Sequence, residues 1–78
     1  MPTIIIEGYK FQFWSSDCTE PPHVHVAGGR KKLKIWLSPV RIASFREYNE
    51  RELNRILRLT RAHRAHLLEA WHEHCGKN

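Results

Sequence analysis

Apolar and polar residues alternate along the first half of the chain, which is the pattern of β-strands. Residues 3–6 are mostly β-branched and apolar, and Gly8 follows them, so we expect a short strand there. Residues 9–14 alternate strictly, which predicts a second strand with Phe11 and Phe13 facing the core.

Two further alternating runs lie on either side of Gly28 and Gly29, and this arrangement predicts a β-hairpin. With Gly28-Gly29 as the two-residue loop, Val24 would lie opposite Leu33 and His25 opposite Lys32. One face of the hairpin would then be apolar, with Val24, Leu33, Ile35 and Leu37. The other face would carry His23, His25, Lys32, Lys34 and Trp36. Pro39 ends the second run, and residues 40–45 are a candidate for one more strand.

The pattern changes to helical spacing in the last third of the chain. Residues 49–75 contain no proline or glycine, Asn49 is a suitable N-cap with Glu52 three residues on, and Gly76 suits the C-terminal end. The apolar positions at helical spacing are Leu53, Ile56, Leu57, Thr60, Leu67, Leu68 and Trp71. We expect one long helix over residues 49–75, or two helices with a break near residues 63–66, and Trp71 as a core anchor.

The predicted fold class is therefore α+β: a small antiparallel sheet of four to five strands packed by one long C-terminal helix. A chain of 78 residues is expected to form one domain, 1–78, with the sheet in residues 1–46 and the helix in residues 49–75. This length excludes dinucleotide-binding and barrel enzymes.

Neither a membrane span nor a secretory signal is visible, so we expect a cytoplasmic protein. In that compartment Cys18 and Cys75 are expected to be reduced thiols. Their spacing matches no metal-binding motif, so no metal site and no cofactor are predicted from them.

The charge balance indicates a polyanionic partner. The chain has 13 Lys and Arg residues against 8 Asp and Glu residues, which gives a net charge of +5. A positive charge of this kind is typical of a protein that binds nucleic acid or an acidic protein. The predicted helix carries a basic set at spacings of three and four: Arg51, Arg55, Arg58, Arg61 and Arg64. This set is either a phosphate-binding stripe or a solvated helix face.

The histidines on the polar hairpin face have a chemical interpretation. Metal-independent RNA cleavage needs a general acid and a general base, and histidine titrates near neutral pH. His23 and His25 are therefore candidate catalytic residues. The candidate phosphate-binding or partner-binding residues are Arg30, Lys32, Lys34, Trp36, Arg51, Arg55 and Arg58.

Two other interpretations of the histidine pair stay open. His23 and His25 are structural or contact a partner, or they are half of a metal site. The further ligands of such a site would come from Asp17, Glu20, His72 or His74.

The chain resembles a small bacterial family catalogued as domain of unknown function 4160. The similar stretches are residues 1–4, 13–17, 20–26 (Glu-Pro-Pro-His-Val-His-Val) and 34–40, with the late Trp71 in the terminal helix. The resemblance implies the toxin of a type II toxin–antitoxin pair, with a cognate antitoxin encoded by the adjacent gene. It implies no catalytic residues, although His23 and His25 match motif positions.

Three functions follow as expectations. The first is a toxin that acts on RNA or on translation, as a metal-independent ribonuclease or by binding RNA or the ribosome. The second is a non-catalytic basic module that binds protein or nucleic acid. The third is a small metal-binding protein that uses histidine ligands.

Overall fold

A computed structural model describes residues 3–14 and 18–76. The strands are β1 (Thr3–Ile6), β2 (Tyr9–Gln12), β3 (His23–Gly28), β4 (Lys31–Leu37) and β5 (Val40–Arg46). The helices are α1 (Glu50–Ala62) and α2 (Arg64–Cys75). No helix in these residues has the length and apolar character needed to cross a membrane.

The five strands form one antiparallel sheet in the order β1-β2-β3-β4-β5. Each strand pairs with the next in sequence, so short turns suffice to connect most of them. This confirms the α+β expectation and the candidate fifth strand at residues 40–45.

The β3–β4 turn lies one residue later than the sequence predicted. β3 extends through Gly28, and the turn consists of Gly29 and Arg30. Gly29 adopts φ +58°, a left-handed conformation that glycine takes without steric cost. His25 therefore lies opposite Lys34 rather than Lys32.

This change moves the pairing by two residues, and side chains on a strand alternate with period two. From Val24 onward the hairpin side chains consequently keep their predicted faces, whereas His23, at the start of β3, is buried. Val24, Leu33, Ile35 and Leu37 are all buried on the core side.

The helical segment is bent at His63 into two helices, which is the second of the two predicted alternatives, a break near residues 63–66. His63 has φ −112°, yet its N–H donates to Leu59 and its carbonyl accepts from Leu67, so the hydrogen-bond ladder continues through the bend. An unbroken helix of this length would run roughly 39 Å, whereas the longest extent of the molecule is 36 Å. The bend keeps both helices over the sheet.

Arg64 stabilises the position of this bend. Its Nε donates to the Leu37 carbonyl at 2.7 Å and its guanidinium to Ser38 Oγ at 3.2 Å. The start of α2 is thereby tied to the turn that follows β4.

The core lies between one face of the sheet and both helices. Its fully or nearly fully buried apolar members include Phe11, Phe13, Val24, Val26, Leu33, Ile35, Leu37, Ile56, Leu67 and Trp71. The prediction that Phe11, Phe13 and Trp71 are core residues is confirmed.

Polar contacts connect the start of α1 to the sheet. Asn49 Oδ1 accepts from the Glu52 N–H at 2.8 Å, which is the predicted N-cap. The Glu52 carboxylate binds Lys31 Nζ at 2.9 Å, and this hydrogen bond and the negative charge raise the pKa of Lys31.

Cys18 and Cys75 form a disulfide, with their Cα atoms 5.5 Å apart. The expectation of two reduced thiols is wrong for this structure. It rested on the compartment alone, whereas the fold brings the β2–β3 connection against the end of α2. The predicted loop residues 15–17, including Asp17, lie outside the described residues.

The core assignment predicts unequal effects for two isoleucines in strands. Ile35 is 0% exposed, so Ile35→Ala should lower the free energy of unfolding by about 2–5 kcal/mol, and Ile35→Val by about 0.5–1.5 kcal/mol. The control Ile5→Ala removes the same atoms from a side chain that is 65% exposed, and should cost less than about 1 kcal/mol. Urea unfolding followed by circular dichroism measures all three, and equal losses for the two alanine variants would contradict the assignment of faces.

Candidate functional site

The sheet face turned away from the helices carries a basic and aromatic surface. We call this surface the outer sheet face: Trp14, His25, Lys32, Lys34, Trp36, Arg41, Ser44 and Arg46. A depression of about 330 Å³ lies on it, lined among others by Trp14, His25, Lys32, Lys34 and Arg46.

A stacked ring pair forms one side of the depression. The rings of Trp14 and His25 lie parallel, with centroids 3.9 Å apart and planes 7° apart. Trp14 is partly exposed and His25 is half-buried. The pair is a flat π-surface at the edge of a basic region, which suits the stacking of a nucleobase.

Lys34 lies between an acid and an aromatic ring. Its Nζ contacts Glu20 Oε1 at 2.7 Å and lies 4.7 Å from the centroid of the Trp36 ring. Both contacts fix the position of the ammonium group on the outer sheet face.

β5 adds cations that the sequence analysis did not assign to the site. Arg46 lies directly opposite Lys32, Ser44 opposite Lys34 and Arg41 opposite Trp36. The alternation within residues 40–46 could have revealed Arg41 and Arg46, but their register against β4 depends on a β-bulge next to Lys34.

The Lys32–Arg46 pairing is unfavourable for the isolated protein. Like charges on directly opposed residues of an antiparallel pair destabilise the sheet. Within the described residues no acidic side chain forms an ion pair with Lys32 or Arg46. The arrangement is therefore suited to a negatively charged ligand.

His23 lies inside the protein rather than on the outer sheet face. It is 0% exposed, and its Nδ1–H donates to the Pro21 carbonyl at 2.9 Å. The rings of Trp36 and Trp71 lie 5.4 and 5.2 Å from it, centroid to centroid. Only His25 of the predicted catalytic pair is accessible to a ligand in this structure.

The predicted arginines of the helix form a different surface. Arg51, Arg55 and Arg58 are exposed on α1, and α1 covers the opposite face of the sheet. Arg55 lies 3.5 Å from a Glu7 oxygen and 6.0 Å from the Tyr9 ring centroid. Arg30 is exposed in the β3–β4 turn. The predicted binding residues are thus divided between two sides of the sheet.

Potential metal ligands converge at one place within residues 3–14 and 18–76. Ligand atoms of Cys18, His74 and Cys75 lie within 4.8 Å of one another. No such group of three includes His23 or His25 in this part of the chain. Asp17, one of the predicted further ligands, lies outside the described residues.

The different burial of the two histidines predicts different effects on stability. His23→Ala leaves a cavity and removes the donor to Pro21, so it should lower the free energy of unfolding by about 2–4 kcal/mol. His25→Ala removes a half-buried ring and should cost about 1 kcal/mol. Thermal and urea unfolding of both variants measure this, and a larger loss for His25→Ala would be inconsistent with a buried His23.

The comparisons with known proteins identify a family. No curated protein and no solved structure matches the chain significantly. The family model of the domain of unknown function DUF4160 matches residues 8–72, which include β2 to β5, α1 and most of α2. The chain therefore belongs to the DUF4160 family.

Proposed function

We propose that this protein is the toxin of a bacterial toxin–antitoxin pair and that it acts by binding RNA at the outer sheet face. The observation that carries the proposal is the direct opposition of Lys32 and Arg46 beside the Trp14–His25 stack. A phosphate between the two cations would replace their repulsion by attraction.

The chemistry of the face suits single-stranded RNA. Lys32, Lys34, Arg41 and Arg46 supply positive charge along two neighbouring strands, which can follow a phosphate backbone. The indole of Trp14 offers a π-face for a base without selecting its identity. A basic surface of this kind also favours fast association with an acidic antitoxin, which would cover it.

The burial of His23 favours RNA binding over cleavage by two histidines. General acid and general base must both reach the reacting phosphate, and only His25 lies at the surface. The second candidate function, a binding module without catalysis, gains support from this observation. The two candidates differ in whether expression of the chain stops growth.

RNA binding should depend on salt through the sheet cations. The logarithm of the binding constant falls linearly with the logarithm of the salt concentration. For single-stranded RNA, each phosphate that the protein neutralises adds about 0.7 to the magnitude of this slope. The double variant Lys32→Gln/Arg46→Gln removes the pair of cations that would hold one phosphate between them, so it should flatten the slope by about 0.7 and weaken binding. Fluorescence anisotropy of a labelled single-stranded RNA at several KCl concentrations measures the slope.

The control for this experiment is Arg51→Gln/Arg58→Gln, which removes the same charge from the helix surface. It should leave the slope unchanged, because α1 lies on the other side of the sheet. If both double variants flatten the slope equally, net charge rather than the outer sheet face determines binding.

Induced expression of the chain alone should arrest growth, and co-expression of the adjacent gene product should restore it. Lys32→Gln/Arg46→Gln should relieve the arrest, whereas Arg51→Gln/Arg58→Gln should not, with equal protein levels checked by immunoblot. Absence of arrest by the wild-type chain would reject the toxin. RNA binding that persisted in that case would identify the binding module instead.

A further inference from the structure

The connection between β2 and β3 meets the C-terminal end of α2 at a cluster of soft metal ligands. Cys18 comes from the connection, and His74 and Cys75 are consecutive residues of α2. One ligand atom from each lies within 4.8 Å of the other two. In a tetrahedral zinc site the sulfur and nitrogen ligands lie about 3.3 to 3.8 Å from one another. Reduction breaks the bond between the two sulfurs, so they then separate to a non-bonded distance, in the direction of that spacing.

The ring of His74 is held by a hydrogen bond to the backbone and by an aromatic contact. Its Nε2 lies 3.1 Å from the Trp14 carbonyl oxygen, which can only accept, so Nε2 carries the proton. Nδ1 then has the free lone pair. The ring also stacks on Phe13, with centroids 6.0 Å apart and planes 28° apart. A backbone carbonyl that accepts from the second ring nitrogen is the usual outer partner of a zinc-bound histidine.

We propose that the reduced protein binds one Zn²⁺ through Cys18, His74 and Cys75, at the place where the oxidised protein holds its disulfide. A dithiol reductant supplies two electrons and two protons, cleaves the Cys18–Cys75 bond and leaves as its own disulfide. Zn²⁺ then binds both sulfurs as thiolates and His74 through nitrogen, and the two thiol protons are released to solvent. The three protein ligands leave a fourth position for water.

The metal would preserve a cross-link in a reducing compartment. The disulfide joins residues separated by 57 positions and fixes the end of α2 against the connection between β2 and β3. Trp71 lies one helical turn before Cys75 and packs against Phe13 and His23. Zinc bound to Cys18, His74 and Cys75 would hold this turn of α2 in place when the disulfide is absent. This inference does not depend on RNA binding or toxicity.

Titration of the full chain with Zn²⁺ alone, in competition with a chromogenic chelator, tests the proposal. The chain reduced by a phosphine should bind one equivalent, and the oxidised chain should bind none at this site. Affinity should fall as the pH is lowered, because the thiols and the imidazole must lose protons. Substitution by Co²⁺ should give a thiolate-to-cobalt charge-transfer band in the reduced chain only.

His74→Ala should weaken binding of Zn²⁺ by more than about 100-fold, since loss of a partner that only orients a ligand already costs about 10- to 100-fold. The matched control His72→Ala changes an exposed histidine on the same helix and should leave the affinity unchanged. Both variants retain the cysteines, so circular dichroism of their oxidised forms checks folding.

If reduction alone unfolds the chain, one equivalent of Zn²⁺ should restore the helical circular-dichroism signal of the wild type but not of His74→Ala. Failure of the reduced wild type to bind one equivalent would overturn the proposal. Equal affinity of the His74→Ala variant and the wild type would overturn it as well.

Discussion

Because side chains alternate along β3 and β4, burial of one set in the core determines which side chains lie on the outer sheet face. Val24 and Ile35 are buried beneath the helices, and in the same strands His25 and Lys34 must then point the opposite way. Burial of the apolar side chains is thus sufficient to turn the basic and aromatic side chains toward the outer sheet face, and the contacts among the latter are not needed for it. The direction in which the outer sheet face points is therefore set by the core beneath it.

The aromatic cluster at one end of the sheet connects the two layers. His23 is enclosed by Trp36 from β4 and Trp71 from α2, and Trp71 also packs edge-on against Phe13. The cluster lies next to the disulfide and to His74, which binds the Trp14 carbonyl. Trp14 in turn stacks on His25. The end of α2 and the outer sheet face are therefore connected by a short series of packed rings.

Membership of the DUF4160 family applies to residues 8–72, whereas His74 and Cys75 lie beyond the matched range. The outer sheet face lies entirely within that range, so the proposed RNA-binding surface is built on the part of the chain that defines the family. The proposed zinc ligands depend in part on the C-terminal residues that follow it. The two proposals accordingly rest on different parts of the molecule.

Local pattern alone was sufficient for most of the elements and faces of this protein, although it placed His23 on the outer face and left the break in the helix open. The strand alternation, the Asn49 cap, Gly76 and the two sets of facing residues are written in short stretches of sequence, because periodicity and capping involve neighbours only. Because the error in the hairpin register was two residues, an even number, it left each face intact.

Only the tertiary structure decided the composition of the site. His23 is buried because Trp71, 48 residues later, packs against it, and Arg46 joins Lys32 because β4 and β5 pair across a bulge. Cys18 meets Cys75 for the same reason, since both partners are brought together by helix packing and not by spacing in the chain. Long-range contacts of this kind depend on the shape of the whole core, which a single sequence does not display residue by residue.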